Sequence, residues 1–81
     1  MTRKICVVTW VVPITSASGK TDNSLRARPI IPKEDQTIFG YGWSGIKEND
    51  VVVCIDQNNG RSLVEKPTAM EAFRARKVLQ R

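Results

Sequence analysis

The chain has 81 residues, 41% hydrophobic and 26% charged, with 13 Lys+Arg against 8 Asp+Glu and a net charge of +5. That length makes one small domain and leaves no room for a doubly wound nucleotide fold or an eight-stranded barrel with its ring of helices. Histidine is absent, which excludes Ser-His and Cys-His catalysis and imidazole metal ligation together, while the basic balance favours a polyanionic partner such as nucleic acid.

Lys4 to Val12 is rich in β-branched residues, with Cys6, Val8, Trp10 and Val12 on one alternating face and Ile5, Val7 and Val11 on the other. Both faces are apolar, so the spacing predicts a strand covered on both sides. Arg3-Lys4, the run to Ile14 and Ser16-Ala17-Ser18 imitate a secretory leader. The run is nevertheless strand chemistry interrupted by Pro13, and it reads as part of the fold of a cytoplasmic protein. No stretch approaches the roughly 20 apolar residues of a membrane span, and no membrane partner is expected. Residues 15–24 hold no large apolar group and read as a loop. Within it, Ser18-Gly19-Lys20-Thr21 spells the end of a phosphate-binding loop. Ile14 stands where that motif needs its first glycine, so the tetrapeptide reads as an ordinary polar loop.

Leu25 to Ile31 predicts a second strand, disturbed by Pro29 and closed by Pro32. On a strand Arg26 and Arg28 point to one side, roughly 7 Å apart, a spacing suited to phosphates. With Lys20 and Lys33 nearby they are the best candidates for polyanion contact, against the plainer reading of an exposed strand face. Ile38 to Trp43 alternates aromatics with Gly40 and Gly42, which disfavours a helix. Phe39, Tyr41 and Trp43 share one side when extended. So few large side chains are available that they read first as core, and second as a surface that stacks bases or fills a partner's pocket.

Val51 to Asp56 and Arg61 to Lys66 predict a hairpin about Gln57-Asn58-Asn59-Gly60, whose Asn-Gly is the strongest turn signal in the chain. Pro67 and Thr68 open a helix over 68–80, with Thr68 and Glu71 spaced as a capping box. On it Arg74, Lys77 and Arg81 form a basic stripe opposite Ala72, Ala75 and Leu79, with Arg76 off the line. The stripe suits supporting phosphate contacts or cations near a helix C-terminus. Cys6 and Cys54 sit in apolar runs and read as small buried hydrophobes or as a cross-strand disulfide. Two thiols without histidine cannot complete a zinc shell, and the acids next to turns form no evident pair, so no metal, cofactor or catalytic residue is expected. The sum is an α+β class: a small, mostly-β single domain of four or five short strands, barrel-like, strand-rich over 3–66 and closed by one C-terminal helix.

Four stretches carry a likeness: Asn23-Ser24-Leu25 with Arg28, Ile31-Pro32-Lys33-Glu34, Gly45-Ile46-Lys47-Glu48-Asn49-Asp50-Val51, and Gly60-Arg61 through Pro67. Over roughly 45 residues the chain resembles the swapped-hairpin AbrB-like family of transcription regulators and MazE-type antitoxins. The resemblance implies two chains interleaved into a dimeric barrel, with Arg26, Arg28 and Lys33 on double-stranded DNA and a C-terminal helix used for a protein partner. A second likeness, to PDZ peptide-binding domains, rests on Phe39-Gly40-Tyr41 and on Gly45 to Asp56 followed by a helix. The expected function is therefore non-enzymatic: a homodimeric DNA-binding regulator or antitoxin using Arg26, Arg28, Lys33, Lys20, Arg74, Lys77 and Arg81. The alternative is a protein-binding module, a peptide binder or small phage-type inhibitor, using Phe39, Tyr41 and Trp43.

Overall fold

Backbone pairing closes the chain on itself. The computed structural model describes residues 3–57 and 62–80. They form β1 (Arg3–Thr15), β2 (Thr21–Ile31), β3 (Ile38–Gly42), β4 (Val51–Asp56), β5 (Ser62–Glu65) and α1 (Ala69–Leu79). The strands make a closed barrel in the order β1-β2-β3-β5-β4. β1, β2 and β3 run as an antiparallel meander and β4 returns beside β1, a Greek key; β5 then closes the ring by pairing parallel with β3. The small mostly-β domain with a C-terminal helix is thus what the sequence predicts, and the barrel closes within one chain.

The core lies in two layers. Cys6, Val8, Leu25, Ala27, Ile46, Val52, Cys54 and Val64 fill the barrel. Outside it, Ile5 and Val53 are buried beneath Ala75 of α1, so the first half of β1 is covered on both sides. The helix starts where Thr68 and Glu71 complete a capping box. Arg3 fastens it to the barrel: its guanidinium donates to Glu71 at 2.9 Å and to Glu65 at 3.2 Å. The Arg3 guanidinium, followed by the Thr68 backbone N–H, holds the Glu71 carboxyl down at about 2. Against the predicted stripe, Leu79 is exposed, and the half-buried residue of the last turn is Val78.

Two irregularities decide which side chains face out. Pro29 pairs with Cys6 and Ile31 with Ile5, leaving Ile30 as an extra residue, and a proline without an N–H suits such a bulge. Val8 pairs with Ala27 and Trp10 with Arg26, leaving Thr9 as the extra residue. An extra residue inverts the alternation beyond it. Trp10 therefore leaves the face of Cys6 and Val8, where strict alternation puts it, and points outward, while Val11 packs against the core. The loop after Gly45 seals this spot: the Asn49 N–H donates to the Val8 carbonyl at 2.8 Å and the Val8 N–H to the Asp50 carbonyl at 2.9 Å.

The loop predicted over 15–24 is shorter, because Thr15 and Thr21 to Ser24 are strand. Thr15, Thr21 and Asp22 lack apolar groups because this part of the β1–β2 ribbon runs past the barrel: β3 pairs with β2 only from Asn23 to Ala27, so beyond Asn23 the ribbon has no core to face. β4 and β5 pair antiparallel from Val53 with Glu65 to Asp56 with Ser62. The predicted Asn58-Asn59-Gly60 turn and Arg61 lie outside the described residues. Cys6 sits opposite Val52 and Cys54 opposite Lys4, a diagonal relation with Cα atoms about 7–8 Å apart, beyond ordinary disulfide reach. Both thiols are free and buried, and contact with Cys54 together with burial pushes the Cys6 thiol well above its ordinary range.

Candidate functional site

β3 inverts the usual amphipathic strand. Gly40 and Gly42 occupy its inward positions and Phe39 and Tyr41 its outward ones. A Cβ on Gly40 would stand 2.7 Å from Val64 Cγ2 and 2.8 Å from the Ser62 carbonyl oxygen; one on Gly42 would stand 2.7 Å from Leu25 Cδ2 and 2.9 Å from Ile46 Cδ1. The glycines let β3 press onto the core, and the strand's large side chains are left in solvent. Phe39 is 52% exposed, Tyr41 43% and Trp10, on the far side of β2, 41%. The core reading thus fails for Phe39 and Tyr41. Trp43 behaves differently: it lies beyond the end of β3, half-buried against the barrel core, with the Lys66 ammonium 5.6 Å from its ring. Its carbonyl accepts from the Asn23 side-chain amide at 2.8 Å.

The outward side chains of three strands form rows. Trp10, Arg26 and Phe39 are cross-strand partners in one row, and Val12, Ser24 and Tyr41 in the next; Leu63 of β5 continues the second row. In the first row the Arg26 guanidinium lies over two rings, 4.6 Å from the Trp10 centroid and 5.5 Å from the Phe39 centroid. These are cation–π distances, and they fix the planar guanidinium against the sheet while leaving it open to solvent. Phe39 and Tyr41, two residues apart on one strand, stand roughly 6.7 Å apart, about twice the thickness of a stacked base. An open depression of about 180 Å³ between them is floored by Ser24 and Gly40.

The other predicted contacts fall in separate places. Arg28 points outward two residues from Arg26 and meets Asp35 at 3.2 Å. Lys33 pairs through its backbone with Ile30 and lines, with Arg28, an open depression of about 240 Å³ next to Val78. Lys20 is exposed near the tip of the β1–β2 ribbon, six residues or about 20 Å of strand from Arg26. Arg74 and Lys77 are exposed on α1, over the part of the barrel that carries Ile5 and Val53; Arg81 lies outside the described residues. Sequence reasoning missed Trp10, because nothing in the β1 pattern marks Thr9 as a bulge. It missed Ser24 and Leu63, which become neighbours only through strand register.

Among the described residues no group of three or more Cys, Asp and Glu side chains is placed to hold a metal ion, and no helix is long and apolar enough to cross a membrane. No family model, curated protein or solved structure matches the chain.

Proposed function

We propose that this chain binds single-stranded nucleic acid on the open β1–β2–β3 face. The observation that carries the reading is the Arg26 guanidinium held between the Trp10 and Phe39 rings, with Tyr41 in the adjoining row. Aromatic side chains and a stacked guanidinium supply flat surfaces for unpaired bases, and the net charge of +5 supplies the long-range attraction for their phosphates. A duplex gains little from such a face, since its bases already cover each other's rings; its phosphates remain available to Arg28 and Lys33. Five-stranded Greek-key barrels of the OB type bind oligonucleotides on the face of strands 2 and 3, and this closed barrel exposes Arg26, Phe39 and Tyr41 there, with Trp10 of β1 alongside. That comparison is one of architecture, and the weight rests on the side chains.

The test is fluorescence anisotropy of a labelled oligothymidine 12-mer, with a 12-base-pair duplex as competitor, in low and high salt. We expect binding of the single strand, weak competition by the duplex and a steep loss of affinity with salt. Replacing Trp10, Phe39 or Tyr41 by alanine should weaken binding by about 1–3 kcal/mol each if one base stacks on each ring. Affinity for the duplex equal to that for the single strand, or variants indistinguishable from the parent, would overturn the reading. A face that ignores nucleic acid would return the patch to the protein-binding alternative.

A further inference from the structure

We infer that a strand leaving the stacking face is held at a second, phosphate-binding corner made by Arg28 and Lys33, and that Asp35 pairs with Arg28 there until a phosphate displaces it. This inference rests on the nucleic-acid reading above and names where the backbone of the bound strand goes next.

The corner follows from how β2 ends. Past the Ile30 bulge the chain turns at Pro32, and the bridge between Ile30 and Lys33 folds Lys33 back beside the strand. Arg28, Pro29, Ile30, Lys33 and Val78 then surround one open depression of about 240 Å³. Its floor of Pro29, Ile30 and Val78 is apolar, and its two polar side chains are both cations. The two carboxylates that follow Lys33 in the chain are placed differently. Glu34 is drawn the other way, to Lys4 at 2.7 Å. Asp35 reaches the Arg28 Nη2 through a single contact of 3.2 Å, with side chains 57% and 94% exposed. An ion pair so open to water is weak and exchanges readily, whereas a phosphate can offer a guanidinium two oxygens at once. Arg28 stands about 7 Å from Arg26 along the same side of β2, so one extended backbone can touch both.

The experiment compares labelled oligothymidines of 4 and 12 nucleotides, the shorter supplying only the four bases that the Trp10, Arg26, Phe39 and Tyr41 planes take up and the longer supplying further nucleotides for the corner. For the parent protein the 12-mer should bind at least 10-fold more tightly than the 4-mer. The Arg28→Ala/Lys33→Ala double variant should lose most of that advantage, lower the salt slope for the 12-mer by about 1.4, as expected for two lost single-strand phosphate contacts, and leave the 4-mer unchanged. Asp35→Asn should tighten the 12-mer 2- to 5-fold and leave the 4-mer as it was. If the parent binds both lengths and the double variant matches it on the 12-mer, the corner is wrong and the stacking face stands. If neither length binds the parent, both readings fall. Both substituted cations are exposed, and an unchanged far-ultraviolet spectrum confirms that the variants fold.

Discussion

Thr9 donates its hydroxyl to the main-chain carbonyl of Arg26 at 3.2 Å, so the extra residue of the β1 bulge is tied to the strand position that bears the stacked guanidinium. The bond pins the place where β1 reverses its alternation and sends Trp10 outward. Thr9→Val should cost about 0.5–1 kcal/mol in urea unfolding, the value of one modest hydrogen bond. Deleting Thr9 is a different matter, since it removes the extra residue and joins Val8 to Trp10 directly, so that strict alternation keeps Val8 inward and Trp10 outward with every later β1–β2 pair in its present register. That variant should still unfold cooperatively with Trp10 open to quenching by iodide, and a Trp10 shielded from iodide would show that the bulge does not set the face.

The inward glycines of β3 give the second prediction. Gly40→Ala must push against the Ser62 backbone as well as Val64, whereas Gly42→Ala meets only the side-chain ends of Leu25 and Ile46. Overpacking of this kind costs about 1–3 kcal/mol. Gly40→Ala should fall at the upper end and Gly42→Ala lower, since Leu25 and Ile46 can change rotamer. Equal and negligible effects in urea denaturation would mean that β3 stands further from the core than these contacts require.

Stability should also fall in acid through Glu71. Its carboxyl titrates at about 2 in the folded chain against an ordinary value of 4.5, so the unfolded chain binds a proton first. Its contribution is therefore fully present above about pH 4.5 and is lost as the pH falls toward 2. Thermal melts of the parent and Glu71→Gln should differ most above pH 5 and converge near pH 2. A gap that stays constant through that window would show that Arg3 does not hold the carboxylate.

Much of the architecture is legible in local patterns because those patterns act locally. Thr68 and Glu71 satisfy each other's backbone across one turn, so the helix start needs no knowledge of the barrel. The two apolar faces of β1 report truly on a strand between the barrel interior and α1, as far as Val8. The binding face is harder to read, for a physical reason. Bulges are not encoded by hydropathy, and a single extra residue at Thr9 reassigns every side chain after it. The alternation of Phe39 and Tyr41 with Gly40 and Gly42 is visible in the sequence, yet a small core makes exposed aromatics look wasteful. Only the close approach of Val64 and Leu25 to the glycines shows why the rings must point out. Arg26 is recognisable as a candidate contact from its charge, but its rings come from strands 16 residues earlier and 13 later in the chain, joined to it only by register.

Arg26 separates charge from stacking, and its substitutions are the sharpest probe of the face. Lysine keeps the charge but offers a hydrated point in place of a plane, so it cannot lie flat between Trp10 and Phe39 or extend their surface to a base. Arg26→Lys should bind the oligothymidine 12-mer about 3- to 10-fold more weakly, on the order of 1 kcal/mol of stacking, with an unchanged salt slope. Arg26→Ala should bind more weakly still and lose about 0.7 from the slope, one single-strand phosphate contact. Neither change should move the urea midpoint by more than the few tenths of a kcal/mol typical of exposed sites. If lysine restores full affinity, Arg26 acts through charge alone and the two rings serve only to position it. If alanine changes neither affinity nor slope, the bound strand does not cross the Trp10–Arg26–Phe39 row, and the site must be sought elsewhere on the barrel.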